Sequence, residues 1–234
     1  YVILPFEKDF FKKYNFDVDY VGNPVLDAIR SFKPTEFFLE QQNMKQKKPL
    51  VALLPGSRTR ELQKIVPVMA AVAKARPAFH FVVAAIHNLS PELYKPLTGL
   101  ENVNFIYDST YDLLTHATAA IVTSGTATLE TALFKVPQVV VYKAGYLEYL
   151  IATQVVKVKF ISLVNLIAGK EVVKELIQDN ASPERIGNEL TKLIEPGNYR
   201  ESIINAYEQL HATLDIGSAS DNTAELIVKY QNES

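Results

Sequence analysis

Thr123-Ser-Gly-Thr-Ala-Thr-Leu-Glu130 follows the apolar run Ala119-Ala-Ile-Val122 and opens a helix-like pattern over residues 126–134. A glycine turn between a strand and a helix start points free backbone N–H groups and the positive helix end at one spot, which suits a phosphate. Ser124, Gly125 and Thr126 make that turn. Glu130 stands about one helical turn inside, where a carboxylate can accept hydrogen bonds from sugar hydroxyls. A nucleotide-sugar diphosphate fits these groups. An ordinary strand–turn–helix, with a capping Ser or Thr and a solvent-facing Glu, fits them equally.

A second turn of the same kind follows the apolar run at 50–54, where Pro55-Gly56-Ser57-Arg58 leads into a long helical pattern. Ser57 is expected to cap that helix, with Glu61 favourable to its dipole. Gly56 would let a ligand approach the backbone, and Arg58 offers a planar fork for phosphate oxygens. The plainer reading makes Ser57 a cap and Arg58 a surface partner of Glu61. Two such turns in one alternating chain favour the phosphate reading.

Outward from these turns, strand-like runs at 50–54, 79–86, 103–107, 119–123 and 138–142 alternate with helical patterns at 58–75, 91–97, 111–116 and 126–134. The strands are apolar throughout, as in a parallel sheet covered on both faces. The predicted fold is α/β: a doubly wound, Rossmann-like parallel sheet with extra C-terminal helices. Ligands in such sheets bind at the carboxyl ends of strands, and both glycine turns fall there.

Residues 1–6 and 18–21 read as strands around a short helix at 7–14, and residues 25–48 as linker helices (25–30, 35–42) with a Lys-rich connector. Residues 49–195 form the predicted nucleotide-sugar-binding domain, and 196–234 the C-terminal helices. Helices are predicted at 146–158, 171–178, 183–195, 199–214 and 222–230. Ser182-Pro183-Glu184 is a helix start with Ser as cap and Pro at the first position. Tyr146, Tyr149, Lys157, Lys159 and Phe160 could face a membrane surface, although a core or subunit interface with snorkelling lysines accounts for them better.

Bulk properties narrow the field. The 234 residues carry a net charge of −2, which gives no global attraction to nucleic acid. There are no cysteines, so disulfide frameworks and thiol metal sites are excluded. His80, His87, His116 and His211 lack close metal-ligand spacing, so no metal is assigned. The helices at 199–232 carry apolar stripes (Ile203, Ile204, Tyr207, Leu210, Leu214; Leu226, Ile227, Tyr230) that suit a homodimer or packing on another domain.

Five runs together, in register, resemble lipid-A-disaccharide synthase: Ile3-Leu-Pro-Phe-Glu7, Tyr20-Val-Gly-Asn-Pro24, Leu54-Pro-Gly-Ser-Arg58, Thr123–Glu130 and Ser162-Leu-Val-Asn-Leu-Ile-Ala-Gly-Lys-Glu171. Asn23 and Val164 depart from the family's usual His and Pro. The resemblance implies a GT-B glycosyltransferase that joins UDP-2,3-diacylglucosamine to 2,3-diacylglucosamine 1-phosphate, forming a β-1,6 disaccharide and UDP. It implies no cofactor, a cytoplasmic protein peripheral to the inner membrane of a Gram-negative bacterium, and cover of the family's C-terminal part only. Residues 1–24 are then expected to be the tail of an N-terminal domain that holds the catalytic base.

In this picture Gly56, Ser57, Arg58, Ser124, Gly125 and Thr126 surround the diphosphate and Glu130 holds the ribose. Asn165 contacts donor phosphate or sugar, and Lys143 is a further phosphate candidate. Asp108 and Asp112 are expected to cap a helix rather than act as bases. The chain alone is expected to bind UDP without transferring sugar. Rival readings are a UDP-N-acetylglucosamine 2-epimerase, the peptidoglycan N-acetylglucosaminyltransferase, or a non-catalytic nucleotide-sugar-binding module.

Overall fold

The computed structural model describes residues 1–42, 44, 48–143 and 159–233. Six parallel strands form one sheet: β1 (Leu50–Leu54), β2 (His80–Ala85), β3 (Val103–Tyr107), β4 (Ala119–Thr123), β5 (Gln138–Tyr142) and β6 (Lys174–Ile177). Their order is β3-β2-β1-β4-β5-β6. In an open sheet of this order the winding reverses between β1 and β4, which leaves a crevice at their carboxyl ends. Leu54 lies beside Val122 in the register, so the chain leaves both strands at the same level.

The alternation of side chains across the pleat, with both faces covered, explains why the central strands β1 and β4 are buried along their whole length. Val51 and Leu53 pack on one face with Leu62, Ile65 and Met69 of α4 (Thr59–Ala75). The same face takes Ile186 and Leu190 of α8 (Pro183–Ile194) and Tyr207 of α9 (Asn198–Leu214). Leu50, Ala52 and Leu54 meet Leu113 and Leu114 of α5 (Thr110–His116) and Phe38 of α3 (Phe38–Gln41) on the other face. The remaining helices are α1 (Glu7–Lys12), α2 (Pro24–Ser31), α6 (Thr126–Leu133), α7 (Leu163–Ala168) and α10 (Ala219–Glu233), with a 3₁₀ helix at Pro91–Leu97. Ser182 caps α8 by accepting from Arg185 N, as its sequence predicts.

Four expectations need correction. The predicted helix over 171–178 is the edge strand β6, followed by a 3₁₀ turn at Gln178–Asn180. The predicted strands at 1–6 and 18–21 reduce to a single parallel bridge between Val2 and Tyr20, and Tyr1 and Ile3 are exposed. The helix expected over 35–42 is only α3, entered through Phe37 in the left-handed region (φ 54°). Ile203, Tyr207, Leu210 and Leu214 are buried in this chain's own core, so that stripe is not an outward face. On α10, by contrast, Ile227, Val228 and Tyr230 are exposed. The predicted helix at 146–158, with Tyr146, Tyr149 and Lys157 of the proposed membrane-facing stripe, lies outside the described residues, as does most of the Lys-rich connector.

The last helix returns to the start of the chain. Asp27 Oδ2 accepts from Ala219 N at 2.8 Å, Asn222 Nδ2 donates to Val21 O at 3.0 Å, and Arg30 pairs with Asp215. Among the described residues, no helix is long and apolar enough to cross a membrane.

Candidate functional site

The two glycine turns meet at the crevice between β1 and β4. Gly56 adopts φ 95°, and a Cβ there would come within 2.8 Å of Glu61 Oε2 and 3.6 Å of Thr123 Cγ2. Only glycine fits that position without displacing Glu61. Gly125 has φ 151° and ψ −164°, a region open essentially to glycine, and the space a Cβ would occupy is empty. Helix α4 begins after Arg58 and α6 after Gly125, and neither has a side-chain cap. Ser57 is therefore not the cap that its sequence suggested. The result is two helix starts, neither capped by the side chain of its N-cap residue, side by side on one crevice.

That crevice is a hollow of about 380 Å³. Gly56, Ser57, Arg58, Ser124, Gly125, Thr126 and Glu130 all line it, so seven of the nine candidate residues share one space. Thr123 and Glu61 line it too.

Arg58 is 81% exposed and its Nη1 lies 3.0 Å from Glu61 Oε1, so the surface pairing of the plainer reading exists as well. An exposed pair of this kind is held by only about 0–1 kcal/mol, little enough for an anionic ligand to recruit the guanidinium. Ser124 contributes differently from its expected role. Its Oγ donates to Ile161 O at 2.7 Å and its N–H to Val141 O at 3.1 Å, which fixes the turn and engages both of its donors within the protein.

Glu130 lies on α6 where the hollow adjoins a second one of about 490 Å³, lined by Phe32, Asp108, Tyr111 and Asp112 among others. Glu130 Oε1 accepts a hydrogen bond from Tyr111 Oη at 2.9 Å. Burial first, then the charge and hydrogen bond of Glu130, push the Tyr111 phenol well above its ordinary pKa. Tyr111 is a neighbour that sequence reasoning missed, because nothing in the local pattern of α5 says which strand end it will face.

Asn165 is not brought to this hollow. It is completely buried, and its side chain is fully engaged inside the protein. Nδ2 donates to Val173 O (2.9 Å) and Glu175 Oε1 (2.8 Å), while Oδ1 accepts from Val172 N (2.7 Å) and Val173 N (3.0 Å). No donor or acceptor capacity is left for a ligand. Lys143 is half-buried at the end of β5 and does not line the hollow.

The two acids also depart from expectation, since α5 begins after Ser109 with no side-chain cap. Asp108 is exposed, with Oδ2 3.5 Å from His87 Nε2. Asp112 is buried and accepts from Thr35 N at 2.6 Å, pinning the connector after α2 to α5. Chemically, the hollow offers an exposed guanidinium, two helix N-termini and two carboxylates, of which Glu61 is paired with Arg58 and Glu130 is not. That set matches an anionic diphosphate attached to a polyol.

The profile of the lipid-A-disaccharide synthetase family matches residues 1–229. Lipid-A-disaccharide synthase of Coxiella burnetii (strain CbuG_Q212) is 34% identical over 230 residues, covering 97% of this chain and 61% of that protein. The enzyme of Syntrophus aciditrophicus (strain SB) is 36% identical, covering 95% and 60%. The chain thus spans about three fifths of the length of these relatives. Among solved structures, UDP-GlcNAc 2-epimerase from Neisseria meningitidis, bound to UDP-GlcNAc, superposes with a TM-score of 0.63 at 18% identity, over 95% of this chain and 59% of that one. The calicheamicin glycosyltransferase CalG4 gives 0.55 at 18%, over 84% and 43%. At such identities these structures establish the shared fold.

Proposed function

Because this chain belongs to the lipid-A-disaccharide synthetase family, we propose that it carries the donor half of a sugar transfer in lipid A biosynthesis. The reaction joins UDP-2,3-diacylglucosamine to 2,3-diacylglucosamine 1-phosphate, giving the β-1,6 disaccharide and UDP. One observation carries this reading: Arg58, Glu130 and both uncapped helix starts border a single hollow at the switch point of the sheet.

In an inverting transfer, the acceptor hydroxyl oxygen forms a bond to C1 of the donor sugar while the bond from C1 to the diphosphate breaks. The hydroxyl proton goes to a base, and the diphosphate becomes more anionic as it leaves. Arg58 and the N–H groups at the starts of α4 and α6 supply positive charge where it is then needed. Glu130 accepts from the ribose hydroxyls. The base is proposed to reside in the part of the relatives' length that this chain does not span.

Calorimetry with UDP tests the site. UDP is expected to bind, and Arg58→Ala or Glu130→Ala is expected to weaken it. No affinity, or affinity untouched by both substitutions, would overturn the reading. Sugar transfer is assayed with a protein spanning the full length of the relatives, comparing diacylated with unacylated UDP-glucosamine. Turnover of only the unacylated donor, or its epimerisation, would point to a different UDP-sugar enzyme. The acylated substrates also favour peripheral contact with the cytoplasmic face of an inner membrane. The outward residues of α10 support a homodimer, which a monomeric scattering profile at high concentration would refute.

A further inference from the structure

Tyr111 lies in the first turn of α5, apart from both phosphate-facing turns, yet its hydroxyl reaches Glu130 Oε1 at 2.9 Å. Its ring is held on two sides. Phe32 meets it edge-on at 5.4 Å and 87°, and Phe134 packs on it at 5.1 Å and 51°. Phe32 and Phe134 also touch each other, at 5.9 Å and 78°, so the three rings form a closed seat. Such contacts restrict a ring that has only two side-chain torsions to lose.

The bond the ring delivers is a strong one. A phenol donating to a carboxylate makes a charge-assisted hydrogen bond. Burial and the adjacent carboxylate raise the Tyr111 pKa, so the hydroxyl stays protonated and can only donate to Glu130. A carboxylate offers about four lone-pair positions, and one donor on Oε1 leaves the rest for sugar hydroxyls. Without that donor, Glu130 would rotate about a soft terminal torsion and meet a ribose in the right orientation only part of the time.

Resting on the reading of the hollow as a UDP site, we propose that Tyr111 is a positioning residue for the ribose: its hydroxyl, seated by Phe32 and Phe134, orients the Glu130 carboxylate toward the two ribose hydroxyls. Phe32 belongs to the connector after α2, which Asp112 pins through Thr35 N. The ribose contact thus depends on a segment outside the strand–turn–helix units that form the phosphate site.

Calorimetric titration of the 234-residue chain with UDP and with 2′,3′-dideoxy-UDP tests this. Tyr111→Phe retains the ring seat and removes only the hydroxyl. It is expected to weaken UDP roughly tenfold and dideoxy-UDP by less than about twofold. In a Glu130→Ala background, Tyr111→Phe is expected to have no further effect. Equal weakening of both nucleotides would mean a merely structural role and overturn the proposal. So would unchanged UDP affinity in Tyr111→Phe beside a weakened Glu130→Ala, an outcome that leaves the UDP site itself standing. If the unaltered chain binds neither nucleotide, the UDP site and the role of Tyr111 fall together. Thermal unfolding of each variant confirms that the compared proteins are folded.

Discussion

Residues 123–130 and residues 162–175 both carry polar side chains beside the same sheet, but they use them in opposite ways. In the first run, Gly125 leaves open space beside its Cα and α6 starts without a cap, so polar groups face the hollow. In the second, Ser162 caps α7, and Asn165 and Glu175 close a network on themselves. Glu175 accepts from Ile161 N, Ser162 N, Ser162 Oγ and Asn165 Nδ2 at 2.7–3.0 Å. A buried polar group with every partner supplied by the protein is scaffold, whereas one whose partners are missing is an invitation to a ligand.

The largest expected effect probes the closed run. Asn165→Ala strips four hydrogen bonds from a buried site and leaves Val173 N and Glu175 short of partners, so it should destabilise the fold by about 3–4 kcal/mol. Denaturant titration measures this, and UDP affinity of the folded protein should stay the same. A change in that affinity would erase the contrast between the runs.

The open run and its companion turn should behave inversely. Arg58→Ala and Glu130→Ala are expected to lose on the order of 1.5–3 kcal/mol of UDP binding with little change in unfolding. Gly125→Ala comes next. Its backbone lies where an L side chain is strained, so roughly 1–2 kcal/mol of stability should go, together with part of the UDP affinity.

How far this contrast could be read without coordinates depends on the range of the interactions. Strands β1, β2, β4 and β5 announce themselves as apolar runs because both faces are covered, and two glycines mark the turns. Strand β6 does not. Lys174-Glu-Leu-Ile177 is an edge strand with one fully buried residue, and it pairs only with β5. What holds it is Glu175 receiving the amides of residues 161 and 162, contacts that local periodicity cannot register. The same blindness made Asn165 look like a ligand contact: an exposed amide and a fully engaged one are identical in sequence. Tyr111 escaped notice because its partner is nineteen residues away.

The smallest effect concerns the far end of the molecule. Arg30, chiefly by its hydrogen bond and then its charge, holds the Asp215 carboxyl below its ordinary pKa. A lowered folded-state value stabilises above the unfolded carboxyl's range and is lost as pH falls through it. Asp215→Asn should therefore lower the melting temperature slightly at neutral pH, with the gap to the unaltered protein closing in strong acid and in high salt. A gap that persists in acid would show that packing, not charge, joins the end of α9 to α2.

Helix α2 touches both ends of this story. Just before the helix and midway along it, α10 ties down Val21 and Asp27. Just past its finish, Phe32 wedges beside Tyr111 and so beside Glu130. Five positions of α2, about 7–8 Å along its axis, separate Asp27 from Phe32. Such a strut transmits displacement rather than absorbing it. Whatever pulls on the carboxyl-terminal helix, be it a second copy or a neighbouring domain, is mechanically in series with the bond between Tyr111 and Glu130.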